Sequence, residues 1–99
     1  MRKRKLVMIM THAEEIARAV ASIIKEKRAP FARVDVRDKL DVSPEEWLYG
    51  YTAIFQGMRI DHPGGAPDVG SKFEGVFKRV DYGIYELTEY GEKLIKEYD

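Results

Sequence analysis

Few side chains in this 99-residue chain are spaced for covalent chemistry. There is no cysteine, which excludes a disulfide framework, a thiolate zinc site and a cysteine nucleophile together. His12 and His62 stand fifty residues apart, with no further ligands at a spacing suited to a metal. Ser22, Ser43 and Ser71 read as helix surface, helix cap and loop, without an elbow or triad context. The carboxylates lie mostly on helix faces and caps, so no acid–base pair stands out. The loop from Pro63 to Gly70 holds three glycines but lacks the Gly-Lys-Ser/Thr ending and the flanking strand and helix of a nucleotide cradle. The expectation is a protein that is no enzyme and needs neither metal nor cofactor.

Three groups are suited instead to recognition without bond making. Tyr49, Thr52, Gln56 and Arg59, with Ala53, fall on the outward side of a helix whose inner face carries Trp47, Tyr51, Phe55 and Met58. Gln pairs with adenine and Arg with guanine at base edges, while Tyr49 suits a sugar or phosphate contact. Lys72, Lys78 and Arg79 concentrate positive charge near a hairpin; neighbours in a strand point to opposite faces, so one of Lys78 and Arg79 at most meets a given partner. Arg2, Lys3, Arg4 and Lys5 are the densest positive run, a basic arm of the kind that follows phosphates or enters a minor groove.

The elements that must position these groups are legible from caps and periodicity. Thr11 and Glu14 form a capping box ahead of a helix over about His12–Lys27, with Ile16, Val20, Ile23 and Ile24 on one face and Ala29-Pro30 as its stop. The mixed stretch Phe31–Leu40 favours a short helix, with Phe31 as a core plug before it, although its spacing also allows a strand start. Ser43-Pro44-Glu45-Glu46 supplies an N-cap, a proline at the first helical position and a capping-box Glu for a helix to about Arg59. Gly50 and Gly57 weaken that helix, or allow another backbone to approach. A breaker-rich loop spans Asp61 to Gly75, and mobility is expected there. Val76–Val80 and Ile84–Leu87 then form a hairpin across Asp81-Tyr82-Gly83, with glycine where φ > 0 is wanted. Thr88 caps a last helix burying Leu94, Ile95 and Tyr98.

Helix, short helix, capped helix, loop, hairpin and helix make an α+β order: a three-helix core, a β-hairpin wing and a closing helix, the winged helix-turn-helix layout. The tract Val76-Phe77-Lys78-Arg79-Val80-Asp81-Tyr82-Gly83-Ile84-Tyr85-Glu86-Leu87-Thr88 resembles the wing of small prokaryotic winged-helix proteins. It is similar also to the winged-helix modules of restriction-endonuclease-like proteins, whose hairpin reads aromatic-x-Arg-Val and then Gly-x-Tyr-x-Leu-Thr. The resemblance spans roughly residues 12–98 and implies double-stranded DNA as partner, met by the third helix and the wing. A transcriptional regulator or the targeting module of a restriction-like system is the expected role. The alternative is a winged helix that binds protein instead.

Charge bears on that choice. Lys plus Arg equals Asp plus Glu at 17 each, so no net positive field draws the molecule to nucleic acid. The stretch 81–99 is net acidic, with six acids against Lys93 and Lys96, and should face away from DNA or toward another subunit. Its tyrosines, Tyr82, Tyr85, Tyr90 and Tyr98, divide between core and a homodimer contact, with Tyr85 assigned to the core. Residues 1–10 are expected as a basic and apolar arm or an extra strand, ahead of one domain over 11–99. The apolar part, Leu6 to Met10, is shorter than the ~7–15 residues of an export signal, and no stretch reaches the ~20 that span a bilayer, so a cytoplasmic protein without membrane contact is expected.

Overall fold

The computed structural model describes residues 10–27 and 30–98. The expected arm at Arg2, Lys3, Arg4 and Lys5 lies outside the described residues. Helix α1, His12–Lys27, starts at the Thr11–Glu14 box: the Glu14 amide donates to Thr11 Oγ1 at 3.1 Å, and the Thr11 amide to Glu14 Oε1 at 2.9 Å. Its inner face buries Ile16, Ala17, Val20 and Ile23. Strand β1 is only Phe31–Ala32, and α2 follows at once over Arg33–Leu40. The Asp35 carboxylate accepts from the Ala32 amide at 2.9 Å, and Asp41, at φ 59°, ends the helix in the left-handed region. Val36 is buried, Leu40 packs partly against the core, and Val34 points outward.

Helix α3 runs over residues 44–57. Ser43 and Glu46 cap it reciprocally, with bonds of 3.0 and 3.1 Å, and Pro44 occupies its first turn. Its middle, Trp47–Tyr51, is a π-helical turn, in which the Thr52 amide reaches back to the Trp47 carbonyl. The helix ends at Gly57, two residues sooner than its pattern suggests. A Cβ on Gly57 would lie 2.6 Å from the Pro67 carbonyl oxygen, so this glycine lets the 63–70 loop pass directly against α3.

The hairpin comprises β2, Phe77–Asp81, and β3, Ile84–Leu87, with a bulge between Arg79 and Asp81 and Gly83 at φ 68°. Strand β1 adds antiparallel to β3, pairing Phe31 with Tyr85, and completes a three-stranded sheet in the order β1-β3-β2. A two-residue strand has no alternation for a sequence pattern to reveal. Thr88 caps α4, Glu89–Ile95: its hydroxyl accepts from the Gly91 amide at 2.9 Å and donates to the Gly75 carbonyl at 2.6 Å. A single turn, Lys96–Tyr98, follows.

The molecule is therefore α+β, with four helices and a three-stranded antiparallel sheet among the described residues. Phe31, Phe55, Phe77 and Tyr85 meet where α3 crosses the sheet, with Phe55 edge-on to Tyr85 at 4.9 Å between centroids. Phe31 is 1% exposed, the plug its position suggested. Among the described residues no helix is long and apolar enough to cross a membrane.

Candidate nucleic-acid interface

The side chains singled out from sequence fall into three places. Tyr49 stands on the outer side of α3, 80% exposed. Thr52 turns its hydroxyl onto the Trp47 carbonyl at 2.9 Å, the acceptor shared with its own amide. Gln56 and Arg59 are joined to each other and to the sheet. Arg59 Nη1 donates to Gln56 Oε1 at 2.5 Å, while Gln56 Nε2 lies 3.5 Å from the Tyr85 hydroxyl. Arg59 Nε donates to Asp61 Oδ1 at 3.0 Å and Nη2 to the Asp61 carbonyl at 3.1 Å, and the guanidinium lies 5.8 Å from the Tyr85 ring centroid. Only 11% of the Arg59 side chain is exposed. In the free protein this arginine therefore ties the end of α3 to the sheet.

Asp61 is the counterpart. The hydrogen bond from Arg59 holds its carboxyl below the usual carboxylate range. The Arg59 charge, its own amide and the Arg79 amide act in the same direction, and partial burial opposes them. The 58–61 segment also covers the free edge of β2: the Ile60 amide donates to the Phe77 carbonyl at 2.8 Å and the Val76 amide to the Met58 carbonyl at 2.9 Å.

The three hairpin cations separate. Lys78 pairs across the strands with Glu86 at 3.6 Å. Arg79 stands opposite Tyr85, on the sheet face that carries Phe77 and meets α3. Lys72 is held at the C-terminal end, 3.4 Å from Glu97 and 5.4 Å from the Tyr98 ring centroid. The structure thus brings neither Lys72 nor Lys78 to Arg79.

A different partner joins Arg79. Tyr82, at the hairpin tip and 77% exposed, has the Arg79 guanidinium 5.4 Å from its ring centroid and that of Arg33 at 5.9 Å. Arg33 is the first residue of α2, and its amide donates to the Gly83 carbonyl at 3.0 Å. Neither guanidinium has a carboxylate ion pair among the described residues; Arg79 Nε donates to the Asp81 carbonyl at 3.2 Å. Sequence reasoning missed Arg33 because nothing local connects position 33 to position 82. Tyr82 was legible only as one of several tyrosines.

A second cluster surrounds the π-helical turn. The His12 ring stacks on Tyr51 at 4.2 Å, Tyr51 lies parallel to Trp47 at 6.1 Å, and His12 Nδ1 is 2.6 Å from the Gly50 carbonyl oxygen. The Tyr51 hydroxyl donates to Glu15 at 2.8 Å. Burial first, then that bond and the charges of Glu15 and Glu46, raise the Tyr51 pKa from 10.0 to about 12. The cluster binds α1 to α3 and sets where the outer face of α3 points. Among the described residues, no group of three or more His, Asp or Glu side chains is arranged to hold a metal.

No protein-family model, curated protein or solved structure matches the chain.

Proposed function

We propose that this is a winged-helix protein that binds double-stranded DNA, as a transcriptional regulator or as the targeting module of a restriction-like system. In this reading β2 and β3 are the wing and α3 lies in the major groove. The observation that carries it is the pair of guanidinium groups, Arg33 and Arg79, gathered on the exposed Tyr82 ring without a carboxylate partner among the described residues. Like charges held together on a hairpin turn suit a polyanion, and phosphate contacts supply a large share of the affinity for a duplex. The basic Arg2–Lys5 run adds charge of the same sign.

Titrating binding to a random duplex against salt tests the proposal. The logarithm of the association constant should fall linearly with that of salt, by about 0.9 for each phosphate neutralised. Absence of binding at low salt would overturn the reading. A second reading, a winged helix that binds protein, draws support from Leu48, Tyr49 and Ile60, which are 58%, 80% and 62% exposed. It would be favoured by that same absence of DNA binding.

A further inference from the structure

The outer side of α3 offers duplex DNA an unusual surface for reading bases. Leu48 and Tyr49 stand well out from the helix, and Ala53 is exposed one turn on. Thr52, beside them, has its hydroxyl tied to the helix backbone, which leaves its methyl as the group without a polar commitment. From Trp47 to Gln56 the helix carries no charged residue. The arginine that follows has all three guanidinium nitrogens engaged, on Gln56, on the Asp61 carboxylate and on the Asp61 carbonyl.

Guanine is read in the major groove by a bidentate Arg or Lys on O6 and N7, whereas thymine presents a 5-methyl group to apolar side chains. The helix has no free cation for the first contact and four side chains suited to the second. We propose that α3 selects A·T-rich duplexes by packing Leu48, Tyr49, Thr52 and Ala53 against thymine 5-methyl groups. This rests on the DNA-binding reading above and names the class of sequence it takes. The occupant is a duplex because of charge: Arg33 and Arg79, gathered on the Tyr82 ring at the hairpin tip without carboxylate partners among the described residues, supply cations for phosphates.

The methyl group can be removed without altering base pairing, by replacing thymine with uracil. Binding of the full chain is measured at one fixed salt concentration to three duplexes of equal length: A·T-rich, the same sequence with uracil for every thymine, and G·C-rich. The A·T-rich duplex should bind tightest, and the uracil duplex should bind about three- to fivefold more weakly for each methyl in contact. Leu48→Ser should shrink the thymine-to-uracil ratio toward one. Arg79→Ala should weaken all three duplexes alike and leave that ratio intact. Equal affinity for the thymine and uracil duplexes would overturn the inference while leaving DNA binding standing. Tighter binding to the G·C-rich duplex would overturn it too. Failure to bind any duplex would overturn the DNA-binding reading, and this inference with it.

Discussion

Around Tyr51, burial, the bond to Glu15 and the neighbouring carboxylates all favour the neutral phenol, and its pKa stands at about 12. A folded-state value above the unfolded one, near 10, means the phenol's contribution to stability is complete below pH 10. That contribution is lost as pH rises from 10 toward 12. Tyr51→Phe should remove this alkaline component and lower stability at neutral pH by about 1 kcal/mol, the worth of one hydrogen bond. Denaturant unfolding across the alkaline range checks both. Gly91 is constrained by packing instead: a Cβ there would fall 1.8 Å from the Val76 carbonyl oxygen, a backbone atom with no room to yield. Gly91→Ala should therefore cost more than about 3 kcal/mol. Gly64→Ala, where a Cβ meets nothing within 4 Å, should change stability by no more than about 1 kcal/mol in the same assay.

Among the elements, α1 and the start of α3 could be drawn from the residues because their signals are local. Thr11 with Glu14, and Ser43 with Pro44 and Glu46, bond within one turn. The positive φ at Gly83 was legible for the same reason. Strand β1 was not, since its two residues are held by β3, more than fifty positions away. The π-helical turn was hidden as well, because the inward residues Trp47, Tyr51 and Phe55 keep a spacing an ordinary helix would show. Arg59 was legible as an outward cation of the helix pattern, whereas its engagement by Asp61 depends on the chain turning immediately beyond Gly57. That junction has its own pH response. A depressed Asp61 pKa contributes stability above the unfolded value of about 3.9, and this is lost as acid carries pH through the folded value. Asp61→Asn should remove that acid-sensitive component and cost about 1 kcal/mol at neutral pH, after allowance for solvent screening. Unfolding measured from pH 7 down to 3 tests it.

For the whole molecule, equal numbers of acids and bases hide an uneven distribution. Among the described residues, the cations at the hairpin tip stand without carboxylate partners, while Lys72 and Lys78 each hold one. If the proposed DNA contact is made there, Arg33→Ala with Arg79→Ala should reduce the steepness of the salt titration by about 1.8, two phosphates' worth. Replacing Lys72 should leave it nearly unchanged. Sequence alone singled out Lys72, Lys78 and Arg79 but not Arg33, and it could not say which were already paired, because the carboxylates come from other elements.

The cover that residues 58–61 place over β2 has a further consequence. A sheet edge with unpaired amides is a template on which a second chain can add a strand, and repeated addition leads to fibres. Here the amides of Val76 and Arg79 and the carbonyl of Phe77 are already occupied by the protein's own turn. The opposite edge strand, β1, is two residues long. The sheet thus resists runaway growth at one edge by occupancy and at the other by brevity; protonating Asp61 would loosen its hold on the Arg79 amide but leave the backbone bonds of Met58 and Ile60 in place.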